Sequence, residues 1–209
     1  MGALPLGDEV VTGWSGHVYV GVSVDGFIAR PDGDLSWLES RGAAAAEAGA
    51  GDLGYEAFMA GIDAVLLGRV TYEQVLGFGD WSYGDRPVVV LGSRSRAPRL
   101  GATGREEPAH RVRWASTVAG AAELLDEVGA REVYVDGGAT IRSLLDAGRI
   151  TDLVLTRVPV LLREGISPFA GHGKDVALEL VSARSYPGGL VQETYRVVPD
   201  RSRPHLVPR

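Results

Sequence analysis

The sequence contains no cysteine. That single absence removes disulfides, thiolate zinc sites, iron–sulfur ligation and a Cys nucleophile together. Long apolar runs are also missing: no stretch approaches the ~20 residues that span a bilayer, so a membrane partner is not expected. The first residues, MGALPLGDEVVTGWSG, have no basic start followed by an apolar stretch, unlike a secretory signal. A cytoplasmic location is the expectation. Nor is there a basic surplus: the formal net charge is −6 and the arginines are scattered, so no nucleic-acid footprint is expected. The histidines (His17, His110, His172, His205) have no paired metal-ligand spacing, and no metal is expected. No G-x-G-x-x-G follows the first strand and no Walker A lysine is present, which argues against those two nucleotide-binding signatures.

What remains is an ordinary globular composition, with 45% hydrophobic and 23% charged residues in 209. Strand patterns fall at 17–23, 64–67, 87–91, 111–115, 132–135, 151–158, 177–185 and 190–198. The runs AVLL (64–67) and PVVVL (87–91) are continuously apolar, as in strands buried on both faces. Helical patterns lie within 39–60, broken by Gly49, Gly51 and Gly54, and at 71–76, 118–128 and 140–147. Residues 97–110 read as an irregular connection. Alternating strands and helices predict one α/β domain over 17–198, a mainly parallel mixed sheet of about eight strands between helical layers. The turn Pro187-Gly188-Gly189 predicts an antiparallel hairpin at its edge. Residues 1–16 are expected to be a flexible segment. Residues 199–209, ending in LVPR like a processed protease tag, are expected to be a disordered tail.

Three strand ends carry Gly-rich turns opening toward helices or polar turns: Gly68-Arg69-Val70-Thr71, Gly92-Ser93-Arg94 and Gly137-Gly138-Ala139-Thr140. Glycine there lets backbone N–H groups approach a phosphate, and a helix N-terminus favours its charge. Each turn has a purely structural explanation on its own. Their order resembles the dihydrofolate-reductase-like superfamily over residues 17–198, through SVDGFIA (23–29), LLGRVTYEQV (66–75), VVVLGSR (88–94) and VYVDGGATIRSLL (133–145). The segment ITDLVLTRVPVLLREGISPF (150–169) is most similar to the branch holding the pyrimidine-reductase domain of riboflavin biosynthesis and its stand-alone relatives, which often carry Gly where this chain has Arg163.

The resemblance implies a three-layer α/β/α dihydrofolate-reductase-like fold that binds NADPH. It implies that Arg69, Thr71, Ser93 and Arg94 contact the nucleotide half, Gly68 lies in the same turn, and Gly137, Gly138, Ala139 and Thr140 line the pyrophosphate. Gly21 and Ile28 would flank the nicotinamide. The implied activity is hydride transfer to a small heterocycle, either pterin or dihydrofolate-like or a ribosylated aminopyrimidine. With no cysteine for a fused zinc deaminase, the chain is expected to supply only a reductase half. A non-catalytic nucleotide-binding module of the same fold is the third reading. Proton delivery needs an acid, for which the candidates are Asp52, Glu56, Asp25 and Glu164. Asp52 equally reads as a helix cap, Glu56 as a surface residue and Asp25-Gly26 as a turn. Trp37 and Trp81 are candidates to wall a ring pocket, with core packing as the alternative. The terminal hairpin offers an edge for a homodimer.

Overall fold

The computed structural model describes residues 13–78, 81–93, 112–171 and 173–199. The expected connection at 97–110, Arg94, most of the N-terminal segment and nearly all of the tail lie outside them.

The described strands form one eight-stranded sheet. Strand β1 is Ser15–Ser23, β2 Ala64–Gly68, β3 Val88–Leu91, β4 Val112–Ala115, β5 Glu132–Asp136, β6 Ile150–Val158, β7 Leu178–Tyr186 and β8 Leu190–Val197. Their spatial order is β4-β3-β2-β5-β1-β6-β8-β7. The first six are parallel, and β8 and β7 continue antiparallel to their neighbours. The helices are α1 Ser36–Glu47, α2 Tyr55–Ala60, α3 Arg69–Gly77, α4 Val118–Glu127 and α5 Gly138–Asp146. Residues Ser15 and Gly16, expected in the flexible segment, already pair with Glu132 and Val133 of β5, and Trp14 is buried.

The apolar run of β2 divides its side chains between two cores, as a strand's two-residue period requires. Ala64 and Leu66 join Val18, Val20, Val133 and Val135 under Ala121, Leu125, Ile141 and Leu144 of α4 and α5. Val65 and Leu67 join Tyr134 under Met59, Tyr72 and Val75 of α2 and α3. The expected three layers are therefore present. A third cluster around Trp37, Val158, Leu162 and Leu190 seats α1 on the sheet.

Loops after β1 and β6 are strapped together. The Ile28 amide donates to the Ile166 carbonyl and the Ile166 amide to the Ala29 carbonyl, each at 2.9 Å. A third contact comes from Asp25, whose carboxylate accepts from the Ser23 hydroxyl and from the amides of Leu162 and Arg163 at 2.7, 3.2 and 2.7 Å. Arg163 sits at φ 70°, a left-handed conformation that glycine adopts at no steric cost. The backbone at Arg163 thus suits the glycine that the resemblance leads one to expect there.

Candidate functional site

In an open α/β sheet, ligands bind beyond the carboxyl ends of the strands. A cavity of about 740 Å³ lies there, within the range of small-molecule sites. It runs from Gly92 and Thr117 at the ends of β3 and β4, past the turns after β2 and β5, to Gly21 of β1. Five adjacent strands are crossed, and four spacings of about 4.8 Å give a length of about 19 Å, suited to an extended dinucleotide.

Gly21, Ile28, Gly68, Arg69, Thr71, Gly137, Gly138, Ala139 and Thr140 all line it. Helices α3 and α5 both start at its wall, and neither has a side chain capping its first turn. Their N-terminal N–H groups therefore face the cavity as two adjacent anion sites. By contrast, α4 is capped by Thr117, whose hydroxyl accepts from the Gly120 amide at 3.0 Å. The turns are packed to the limit of glycine. Gly137 has φ 97°, and a Cβ there would lie 2.5 Å from the Thr71 hydroxyl oxygen; one on Gly68 would lie 2.8 Å from that of Thr140. Arg69 backs onto Gly92 and donates to Glu73. Ser93 is exposed and does not line the cavity.

None of the four candidate carboxylates lines the cavity. The Asp52 carboxylate is on the surface, where it accepts from the amides of Gly54 at 3.0 Å and Glu56 at 2.7 Å. Those bonds hold its pKa below the usual carboxylate range, the Glu56 amide contributing most. This is the capping alternative, exerted from two residues before the N-cap Gly54. Glu56 and Glu164 are exposed. Asp25 is the strap described above, its pKa lowered first by the Ser23 hydroxyl and then by the two amides. Trp37 is buried in the α1 core, and Trp81 packs edge-on against Tyr72 and Tyr83. Neither walls the cavity.

Among the described residues, the acid that does line it is Asp136, the last residue of β5 and one step before the Gly-Gly turn. Period two places Asp136 on the face of Tyr134, and Gly21 on the face of Tyr19. The rings of Tyr19, Tyr55, Phe58, Tyr83 and Tyr134 form a continuous aromatic cluster on that face. Burial against it pushes the Asp136 pKa up, while the Gly137 amide, donating at 2.7 Å, and the Tyr134 hydroxyl pull it back. The net shift favours the protonated acid. Arg142, Gln74, Ser116, Thr117 and Ile166 also line the cavity and had no sequence signal of their own.

The RibD C-terminal domain family matches residues 17–192. The chain belongs to this family. The uncharacterized Bacillus subtilis (strain 168) protein YwjB is 31% identical over 181 residues, covering 85% of this chain and 95% of that protein. Among solved structures, a protein ascribed to riboflavin biosynthesis from Shewanella sp. PV-4 superposes with a TM-score of 0.75 at 29% identity, covering 88% of this chain and 99% of that one. The Thermotoga maritima diaminohydroxyphosphoribosylaminopyrimidine deaminase/5-amino-6-(5-phosphoribosylamino)uracil reductase has a TM-score of 0.57 at 15% identity, covering 88% of this chain and 57% of that one. The fold is therefore that of the riboflavin-pathway pyrimidine reductases, and so dihydrofolate-reductase-like.

Proposed function

We propose that this chain is an NADPH-dependent reductase of a small heterocyclic C=N or C=O compound, with Asp136 as the proton donor. The observation that carries the reading is a carboxyl, Asp136, that lines a cavity beside two helix N-termini without side-chain caps; burial raises its pKa. The cofactor fits the residues present. The uncapped N-termini of α3 and α5 suit a pyrophosphate, and Arg69, Ser116 and Thr117 lie toward the nucleotide end. When bound, its nicotinamide supplies the hydride to the electrophilic carbon of the substrate. Gly21 and Ile28 line the part of the cavity beside β1 that would hold this ring. Asp136 holds a proton at neutral pH more readily than an exposed carboxyl and gives it to the nitrogen or oxygen that gains the electron pair. Water then reprotonates it.

The test is NADPH oxidation, followed with dihydrofolate, a pterin and 5-amino-6-(5-phosphoribosylamino)uracil, in wild type and Asp136→Asn. The expected loss in the variant is about 10²–10⁴-fold in turnover with cofactor affinity unchanged. An unchanged rate excludes Asp136 as the acid. Tight NADPH binding with no turnover of any heterocycle favours the non-catalytic module.

A further inference from the structure

Where the nucleotide end of the cavity is polar, the end beside Gly21 is not. Leu38 of α1 lies directly over Gly21, whose Cβ, if present, would be 2.7 Å from a Leu38 methyl. Leu35 precedes that helix, and the cavity is also lined by Gln74 and Val75 of α3 and by Phe78, which follows it. The Gln74 side-chain amide donates to the Gly33 carbonyl at 2.8 Å, which ties the loop before α1 to α3 and closes this end. Phe78 is 57% exposed, although it lines the cavity. Large apolar side chains left open on a concave wall are what a ligand ring covers.

The charges decide what kind of ring. Arg69 and Arg142 are the cations among the described lining residues. Arg69 stands at Gly92, toward the nucleotide end, and is paired with Glu73. Arg142 leaves the second turn of α5 and donates to the Ser167 carbonyl beside the pyrophosphate turn. Among the described residues, Leu35, Leu38, Gln74, Val75 and Phe78 line the cavity without any charge of their own. A phosphate monoester needs charge-assisted donors to offset its desolvation, and this compartment provides an aliphatic and aromatic lining instead.

We propose that the substrate compartment, bounded by Gly21, Leu35, Leu38, Gln74, Val75 and Phe78, takes an uncharged flat ring bearing a C=N or C=O group and not a phosphorylated pyrimidine nucleotide. The proposal rests on the reductase reading above. In the balanced reaction, hydride from the reduced nicotinamide forms the new C–H bond. The π pair of the C=N or C=O bond moves to nitrogen or oxygen, which takes a proton from Asp136, and the oxidised nicotinamide leaves.

The test is a binding measurement on the full chain, with turnover as a second readout. NADP⁺ is titrated first by itself, so failure of the cofactor reading shows there. Ring ligands are then titrated by protein fluorescence both with and without NADP⁺. The probes are an unsubstituted pterin, menadione, 5-amino-6-(5-phosphoribosylamino)uracil and the same uracil lacking its phosphate. The expected result is that pterin or menadione binds, and that removing the phosphate from the uracil leaves its affinity equal or higher. Phe78→Ser, at an exposed position that folding tolerates, should weaken the neutral ring about tenfold or more while NADP⁺ affinity holds within about twofold. Binding of the phosphorylated uracil about tenfold tighter than its phosphate-free form overturns the proposal. So does failure of both neutral rings to bind.

Discussion

At the scale of single residues, an aspartate means whatever surrounds it. Asp25, Asp52 and Asp136 each sit next to glycine or within two residues of one, and locally all three read as turn formers. Asp25 and Asp52 are held as anions by amide and hydroxyl donors in water. Asp136 follows a buried strand, and the aromatic cluster beside it disfavours the anion. Its pKa is raised, so the protonated acid is present below that value and is lost as pH rises through it. Wild-type turnover should accordingly fall on the alkaline side, and a pH–rate profile of Asp136→Asn should lack that limb. His17 provides a second titration, far from the site in its chemistry. It bridges Asp152, at 2.7 Å, and Glu132. Burial lowers its pKa, but the hydrogen bonds and charges of the two carboxylates outweigh that and leave it raised above 6.5. The stabilisation is present below the unfolded value and disappears as pH rises through the folded one. Denaturation midpoints of wild type and His17→Gln should therefore converge toward alkaline pH; a gap that persists there rules out protonation as the cause. Arg163→Gly should stabilise the protein by about 0.5–1 kcal/mol by relieving the left-handed backbone, as measured by chemical denaturation.

At the scale of elements, α2 and α4 have side-chain acceptors at their first turns, and α3 and α5 do not. The short α2 is secured at both ends from outside. Asp52 accepts from its first turn, and Arg86 donates to the carbonyls of Met59 at 2.6 Å and Ile62 at 2.9 Å beyond its end. Asp52→Ala should cost about 1 kcal/mol of stability and leave turnover unchanged. A fall in turnover at unchanged stability would instead return Asp52 to the chemistry. The N-termini of α3 and α5 have no such side chains, and their amides are left to the cavity. The extents of these elements were readable because periodicity and glycine placement are local properties. The expected strand at 64–67 is Ala64–Gly68, and the expected hairpin is β7 and β8 joined at Pro187–Gly189. The start of α1 was expected later, near Glu39, because nothing in Leu35-Ser36-Trp37 is a strong start signal. Its first turn is instead stabilised by burying Trp37 against Val158 and Leu190, which lie far away in the chain.

At the scale of the whole molecule, the cavity exists because six parallel strands end together. Helices on both faces of the sheet then contribute to one rim. A ligand spanning that rim touches four strands' turns at once, so its binding energy is stability of the entire sheet. At about 100 times its dissociation constant, NADPH should add about 2.7 kcal/mol. In a domain of this size that corresponds to a rise in melting temperature of about 5–10 °C. NADH should give a smaller shift. Equal shifts with both would remove the 2′-phosphate from the reading, and no shift with either would remove the cofactor.

The sequence by itself determined the order of strands and helices, the three glycine turns and the family likeness, because those are properties of neighbouring residues. The nine described positions that the resemblance assigned to a cofactor, Ser93 apart, all line the cavity. The sequence did not single out Asp136. Asp136 stands inside the quoted motif VYVDGGATIRSLL, yet nothing local distinguishes it from a turn aspartate. Its raised pKa comes from burial, which is complete only when the rings of Tyr134, Tyr83 and Tyr55, from β5, α2 and the chain before β3, pack on one face of the sheet. The apolar part of the cavity is likewise a tertiary fact, since Leu35, Leu38 and Phe78 come to line it from separate stretches of chain. Backbone pattern is written in short stretches of chain; desolvation is decided by what folds against them.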